Sequence, residues 1–364
     1  MHFYATLPGV STYAKVAELP LEIDSLELEG RELAFSPEFT RMTTLVKLRG
    51  GGNEGIGEDV VYDGLDHVAL QSEGGALELA GSYTLDSFSK RLDEIELWSS
   101  PPVRGDSRNY RRWAFESAAL DLALRQAGRS LSDVLGREPR PVVFVVSMRL
   151  GRPGSDEPET ADRLKRLLER YPGTRFKLDP ANSWTPELIY ELASTEAVDI
   201  FDLKGFYRGT PVDVDTDPEL YRQVAEAVPS AWLEDADVTD DTLPVLEPIH
   251  ERLTWDAPIH SVDDVKALRW KPRMINIKPS RFGPVKTLFD TYDHCDREGI
   301  GCYGGGQTEL ADGRGQIQYL ASVFHPDSPN DTAPAAYNQL ELGEGLPTSP
   351  LEPRIAKTGF HWEG

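Results

Sequence analysis

The chain is poor in cysteine and in positive charge, and it has no long apolar run. Only Cys295 and Cys302 occur among its 364 residues, which excludes a disulfide framework, and no Cys-x-x-Cys pair offers a zinc site. No stretch of about 18 apolar residues is present, so we expect no membrane span. Lys and Arg total 38 against 61 Asp and Glu, a net charge of −23, which argues against nucleic-acid and anionic-membrane partners.

Signals for nucleotide binding and for secretion are missing as well. The glycine-rich segment at 304–306 is not followed by Gly-Lys-Ser/Thr, so it is not a P-loop, and no dinucleotide fingerprint occurs. The first fifteen residues lack the basic start and apolar run of a secretory signal. We therefore expect a soluble protein of a reducing compartment, the cytoplasm.

The first 137 residues have mixed strand and helix character. Short β-prone runs are broken by turn residues, most clearly at Gly50-Gly51-Gly52, which suits either a mobile loop that closes over a substrate or a simple hairpin turn. A long helix is predicted from Asp106 or Ser107 to a C-cap at Gly128, followed by a short helix over Leu131–Leu135. The pattern predicts an α+β domain over 1–137.

From Pro141 onward the chain alternates strand and helix. Strands separated by helix-sized segments indicate a parallel sheet, and seven such units in about 170 residues favour a β/α barrel over 138–325. Residues 326–364 are predicted to pack back over the other elements. The predicted strands are Val142–Val146, Arg175–Leu178, Val198–Leu203, Ala231–Leu233, Arg252–Trp255, Met274–Ile277 and Gly299–Tyr303.

Most of these strands end in ionisable residues, although buried parallel strands are normally apolar throughout. In a barrel, the carboxyl ends of the strands meet at the mouth, where active sites are built. Each charge taken alone is more often part of a salt bridge, but the order Lys, Asp, Glu, Asp, Lys on successive strands is hard to obtain by chance. The five residues are Lys177, Asp202, Glu234, Asp256 and Lys278. Three carboxylates are hard oxygen ligands of the kind that Mg2+ takes, and two lysines near them could transfer protons.

These residues resemble the enolase superfamily, within its muconate lactonizing enzyme and o-succinylbenzoate synthase-like subgroup. The intervals between the five residues are 25, 32, 22 and 22, each near one β/α unit. The segment RRWAFESAALDLALRQAGRSLSDVLG is similar to the helix that links cap and barrel in that family. LVKLRGGGNEGIGED resembles the strand and turn of the cap, and GCYGGGQTELADGRGQIQYLASVFHP resembles the seventh-strand region.

The resemblance implies a modified TIM barrel, (β/α)7β, with an N-terminal α+β capping domain. It also implies a divalent-metal-dependent isomerase or lyase that removes the proton α to a carboxylate through an enediolate, which is the lysine-and-Mg2+ chemistry of this superfamily. Lys177 and Lys278 would be the acid/base pair, and Asp202, Glu234 and Asp256 would bind Mg2+ or Mn2+. Racemisation or epimerisation, cycloisomerisation and dehydration all remain open, and a barrel without catalysis that binds a ligand or serves assembly is the alternative.

Three departures from the family pattern concern the metal and its neighbours. Lys204 stands where the third strand usually has Asn, Ala257 follows Asp256 where Glu is usual, and Arg175 replaces the first lysine of Lys-x-Lys. A register that makes Asp179 the third-strand ligand would leave the second strand without a lysine, so we prefer Lys177 as the base. The seventh strand has no histidine, which argues against the mandelate racemase type of dehydratase.

The remaining candidates are residues for substrate binding. Arg175, Lys204, Gly305, Gln307 and Glu309 are assigned to this role, and the glycines at 304–306 would form either an anion-binding nest or a tight turn. We expect a small-molecule carboxylate as the substrate, and a homo-oligomer as the assembly.

Overall fold

The computed structural model describes residues 10–36, 39–73, 77–151, 158–210, 212–339 and 343–362. The expectation about a secretory signal falls mostly on residues 1–9, which lie outside the described residues. Among the described residues, no helix is both long and apolar enough to cross a membrane.

The described residues of the N-terminal part of the chain form two small antiparallel sheets and four α-helices. Strands β2, β3 and β4 form a three-stranded sheet, and β1 pairs with β5. The strands are β1 (Pro20–Ile23), β2 (Ser25–Ser36), β3 (Phe39–Gly50), β4 (Asn53–Asp59) and β5 (Gly81–Thr84). The helices are α1 (Gly64–Glu73), α2 (Leu85–Asp93), α3 (Ser107–Gln126) and α4 (Leu131–Leu135).

The three glycines at 50–52 form a tight hairpin between β3 and β4. Gly50 pairs with Asn53, which leaves Gly51 and Gly52 as the two turn residues. Both have a positive φ, 53° and 76°, which glycine adopts without the clash of a Cβ. This geometry supports the hairpin interpretation rather than a loop that closes over a substrate.

The long helix α3 lies directly on β4. A Cβ at Gly57 would come 2.0 Å from the carbonyl oxygen of Ala114, so the close approach of helix and strand requires glycine there. The small residues of α3, among them Ala118 and Ala119, are fully buried. The short helix α4 begins with a Ser130–Asp133 capping box and ends at Gly136 in the left-handed conformation.

The second part of the chain is a parallel barrel. Five strands form one sheet in the order β10, β9, β8, β7, β6, and β11 pairs with β12. The strands are β6 (Val145–Met148), β7 (Arg175–Leu178), β8 (Val198–Asp202), β9 (Trp232–Glu234), β10 (Leu253–Thr254), β11 (Met274–Ile277) and β12 (Gly301–Gly304). The two sheets meet where the backbone N–H of Asn276 donates to the carbonyl of Trp255 at 3.0 Å.

A short segment closes the barrel between β12 and β6. Asn330 bridges Phe144 and Asp331 bridges Gly305, both in the parallel sense, so this segment takes the position of an eighth strand. The predicted fold class, a modified (β/α)7β TIM barrel with an N-terminal α+β capping domain, is confirmed.

Helices follow the barrel strands and cover them. Two begin as the sequence indicates, with a side-chain cap and then proline: Thr185 before α6 and Asp217 before α7. The helices are α5 (Asp162–Arg170), α6 (Pro186–Ser194), α7 (Pro218–Ala227), α8 (Leu243–Leu246), α9 (Val262–Ala267), α10 (Pro279–Phe282), α11 (Val285–Glu298) and α12 (Asp312–Phe324).

The C-terminal residues contact both parts of the chain. Leu351 pairs with Val142, and Gly359 pairs with Ser130. The first barrel strand was predicted to start at Val142, but β6 starts at Val145, because the backbone at 142–144 pairs with the C-terminal region. The domain limits near 137 and 325 stay predictions.

Two buried charges join the cap to the barrel. The guanidinium of Arg41 donates to the carbonyl oxygens of Val60 and Val61 in the cap and of Gln307 and Thr308 in the barrel. The carboxylate of Glu58 accepts the backbone N–H groups of Leu310, Ala311 and Gly313 at the start of α12. These contacts hold the loop after β12 against the cap.

Candidate functional site

Alternation along the barrel strands directs charged side chains inward. In β7, Phe176 and Leu178 belong to the large core outside the barrel, so Lys177 points to the interior. In β11, Ile275 and Ile277 belong to that same core, while Met274 packs on the apolar interior cluster of Val145, Ile200 and Tyr303. Asn276 therefore also faces the interior, and Lys278 follows it on the same side.

Lys177 lies at the centre of a buried group of acids. Its ammonium contacts Glu234 directly, lies 3.1 Å from Asp202 Oδ2, and lies 3.6 Å from Asp331. Burial alone would lower the pKa of Lys177, but the Asp202 and Glu234 carboxylates outweigh it and hold that pKa well above its usual range. Lys177 is therefore protonated in this arrangement.

Lys204 occupies the other side of Asp202. Its ammonium contacts the same Oδ2 atom, lies 3.3 Å from Asp179 Oδ1, and lies 5.1 Å from the centre of the Tyr207 ring. Burial opposes its charge, but Asp179 and Asp202 raise the pKa of Lys204 above the usual lysine range. Asp179 also pairs with Arg149 at 3.2 Å. Asp179, the metal ligand of the alternative register, thus pairs with two cationic side chains.

Lys278 contacts Asp256 at 2.6 Å. The Oδ2 atom of Asp256 also accepts the Tyr207 hydroxyl at 3.1 Å, and Arg281 Nε lies 3.1 Å from its Oδ1 atom. Burial opposes ionisation of Asp256, but Arg281 and Lys278 hold the pKa of Asp256 well below its usual range. Asp256 was predicted to bind metal, but its side chain is directed to these cations.

Asp235 is the carboxylate that the sequence analysis missed. It follows Glu234 at the end of β9, and strict alternation would direct it away from the interior. Its φ of 55° is left-handed, which breaks the alternation. Its two oxygens accept the backbone N–H groups of Asp256 at 2.8 Å and Ala257 at 3.0 Å. In the sequence, the only indication of this carboxylate is the Glu234-Asp235 pair at the end of the predicted strand.

Asp202, Glu234 and Asp235 form the acidic triad of the mouth. One oxygen atom of each lies within 4.8 Å of the others, and all three side chains are buried. Burial, with the neighbouring carboxylates, raises the pKa of Glu234 to about 8 and that of Asp235 to about 7. The three side chains offer hard oxygen donors, which fit a divalent cation such as Mg2+ or Mn2+.

Arg175 does not reach the mouth. It starts β7 at the opposite end of the barrel, is partly exposed, and pairs with Asp199 and the carbonyl of Glu196. Alternation along a strand does not tell which end of the strand a residue occupies. This position does not support a role in substrate binding.

The loop after β12 is engaged within the protein. The Gln307 side chain donates to the Tyr110 hydroxyl at 3.2 Å and accepts from the Tyr62 hydroxyl at 3.0 Å. A carboxylate oxygen of Glu309 accepts the backbone N–H of Gln307 at 2.6 Å. The amides of Gly304 and Gly305 donate to Asn330 Oδ1 and to the Ile277 carbonyl. With these donors already paired, the tight-turn interpretation fits better than an anion-binding nest.

Asn276 has an unpartnered amide inside the barrel. Its side chain is 1% exposed, and neither Oδ1 nor Nδ2 has a hydrogen-bond partner among the described residues. A Cβ at Gly305 would lie 2.8 Å from Asn276 Oδ1 and 2.8 Å from Lys278 Cε, so a side chain there would displace the ends of both. A buried amide without partners is costly, which makes Asn276 a candidate for contact with a bound molecule.

Comparisons with known proteins agree on the fold. Two family models match, described as the C-terminal domain of DUF8230, a domain of unknown function, over residues 138–339 and its N-terminal domain over 14–134. The o-succinylbenzoate synthase of Geobacillus stearothermophilus is 27% identical over 260 residues, which are 69% of this chain and 64% of that protein. The match thus spans less than two thirds of that relative.

Two solved structures illustrate the likeness. The dipeptide epimerase of Enterococcus faecalis has a TM-score of 0.65 at 16% identity, covering 94% of this chain and all of that one. The muconate lactonizing enzyme of Pseudomonas putida has a TM-score of 0.64 at 16% identity, covering 93% and 96%. The resemblance predicted from the sequence is confirmed, and at these identities the structures establish the fold.

Proposed function

We propose that this chain, which belongs to the DUF8230 family and has the fold of the enolase superfamily, is an enzyme. It removes the proton α to a carboxylate of a small molecule, with the aid of a divalent cation. The observation that carries the proposal is the pair of buried lysines, Lys177 and Lys278, beside the acidic triad. The likeness to an o-succinylbenzoate synthase and a dipeptide epimerase supports it.

We assign the cation, Mg2+ or Mn2+, to Asp202, Glu234 and Asp235. Asp235 takes the role predicted for Asp256, because Asp256 is held by Lys278, Arg281 and Tyr207. When bound, the cation would stabilise the negative charge that develops on the substrate carboxylate as the proton leaves.

The two lysines transfer the proton. Both act electrostatically on Asp202 and on Asp256, so both belong to one cluster. The Nζ atom of Lys177, which is protonated in the arrangement described, donates a proton, and the Nζ atom of Lys278, once deprotonated, accepts the α-proton. Arg281 and Tyr207 fix Asp256, which in turn orients Lys278. A pair of lysines permits racemisation, cycloisomerisation or elimination, and among these the choice depends on the substrate.

The test is exchange of the substrate α-hydrogen with deuterated solvent, followed by NMR. The panel consists of N-acyl amino acids, dipeptides and aryl carboxylates with MgCl2 or MnCl2 present. We expect exchange with at least one class, and we expect Lys177→Ala and Lys278→Ala each to abolish turnover while the circular dichroism spectrum stays unchanged. Lys165→Ala, on the surface of α5, is the control. Full exchange in both active-site variants would remove the lysines from the mechanism.

A second candidate function is a barrel without catalysis that binds an anionic ligand or serves assembly. The observation that favours it is that Asp202, Glu234 and Asp256 each already contact a lysine of the protein. Calorimetry with MgCl2 and MnCl2, with and without a carboxylate ligand, separates the two. Absence of metal binding in both conditions would favour this second function. A homo-oligomeric assembly and a cytoplasmic location stay predictions.

A further inference from the structure

Lys204 lies on a strained piece of backbone at the edge of the acidic triad. It follows Asp202 by two residues, at the point where β8 ends, and its φ is 56°. This left-handed conformation is unfavourable for a residue with a long side chain and is tolerated best by glycine and asparagine. Backbone hydrogen bonds hold the residues on either side, since Leu203 donates to the Glu234 carbonyl and Gly205 to the Asp235 carbonyl.

Three contacts hold that ammonium group in place. It contacts Asp202 Oδ2, it lies 3.3 Å from Asp179 Oδ1, and the Tyr207 ring lies on another side. Asp202 Oδ2 also lies 3.1 Å from Lys177 Nζ. One carboxylate oxygen of the proposed metal site is therefore shared by two ammonium groups.

We propose that Lys204 is a built-in competitor of the divalent cation, whose ammonium group must leave Asp202 when the cation binds. This inference rests on the metal site of the proposed function and adds a role for Lys204 that goes beyond it. Two positive charges on Asp202 Oδ2 repel an approaching dication, and in a buried site this repulsion is weakly screened.

Asp179 gives Lys204 a second position. Because Asp179 also contacts the ammonium group but lies outside the acidic triad, Lys204 keeps a counter-ion after it leaves Asp202. The exchange of partners moves one positive charge away from the triad without leaving it unpaired. Metal affinity is thereby set below the value that the three carboxylates alone would give.

The test is calorimetric titration of the purified full-length protein with MnCl2 near neutral pH. Lys204→Met removes the charge and keeps much of the side-chain volume. Lys204→Asn removes the charge and suits the left-handed backbone, so it protects the test against a variant that fails to fold. Lys204→Arg keeps the charge, and Lys165→Met removes an exposed charge on α5 as the matched control.

We expect Lys204→Met and Lys204→Asn to bind Mn2+ at least about tenfold more tightly than the unaltered protein, because one positive charge is lost beside the site. Lys204→Arg and Lys165→Met should show no gain. Equal affinities in the unaltered protein and both neutral variants, or no binding by either neutral variant, would overturn the inference. Binding by the neutral variants alone would support the inference and overturn the metal dependence proposed for the unaltered protein.

Discussion

Acid should weaken the closure of the barrel at His325. The imidazole of His325 is fully buried, with Nδ1 2.7 Å from Asn330 Oδ1 and Nε2 3.0 Å from the Tyr292 hydroxyl. Asn330 is the residue that bridges the closing segment to Phe144. Burial, assisted by the charge of Arg137, lowers the pKa of His325 to about 4, although the contact with Asn330 opposes the shift.

The direction and size of the effect follow from this pKa. In the unfolded chain His325 takes up a proton near its ordinary pKa of 6.5, whereas the folded protein resists protonation down to about 4. The stabilisation by neutral His325 is complete above pH 6.5 and is lost as the pH falls. At about 1.4 kcal/mol per pH unit, the loss of stability amounts to about 3 kcal/mol at pH 4.

Denaturant unfolding at several pH values, followed by circular dichroism, measures this effect. Other groups also titrate, so the quantity to follow is the difference in free energy of unfolding between the unaltered protein and His325→Gln. We expect that difference to be constant above pH 7 and to shrink toward pH 4.5. The variant His250→Gln, near the surface, should show no such trend. A difference for His325→Gln that stays constant with pH would refute the reasoning.

Three further predictions concern the cap, the barrel interior and the surface. Arg41→Met should lower the free energy of unfolding by roughly 3 kcal/mol, because four buried carbonyl oxygens lose a charged donor. Arg222→Met on the surface should lower it by less than about 0.5 kcal/mol. A loss below about 1 kcal/mol for Arg41→Met would contradict this role of Arg41. Asn276→Leu should raise the midpoint temperature of thermal unfolding, because it removes an unpaired buried amide, and should slow α-hydrogen exchange about tenfold or more. A lower midpoint temperature with unchanged exchange would make Asn276 purely structural. KCl should raise the thermal midpoint, because it screens the self-repulsion of 23 excess negative charges, and sucrose at equal osmolality serves as the control; equal effects of the two solutes would argue against repulsion as the cause.

Most of the architecture was predictable from the hydrophobic pattern and the turn residues. The strands around Lys177 and Asn276 were predicted with the limits that the structure has, Arg175–Leu178 and Met274–Ile277, because proline-containing segments bound both of them. The eighth strand was not visible in the sequence, because the closing segment makes only isolated bridges at Asn330 and Asp331. Such a short segment leaves no periodicity to detect.

The site was predictable where side chains alternate regularly and failed where the backbone departs from a strand. Lys177, Asp202 and Glu234 lie together because each points inward from a regular strand. Asp235 was not predicted, because its left-handed backbone conformation turns its side chain toward Asp202 and Glu234. Gln307 was assigned to the substrate, but its contacts with cap tyrosines depend on how two distant parts of the chain meet.

The location of a bound Mn2+ ion is the measurement that tests the central claim most directly. Crystals grown with MnCl2 and a carboxylate ligand, measured at a wavelength where manganese scatters anomalously, reveal every bound ion. The account predicts an anomalous peak coordinated by Asp202, Glu234 and Asp235, with the ligand carboxylate at the same ion and the lysines Lys177 and Lys278 beside it. Saturating Mn2+ without a peak at these three carboxylates, or a peak held by Asp256 instead, would contradict it.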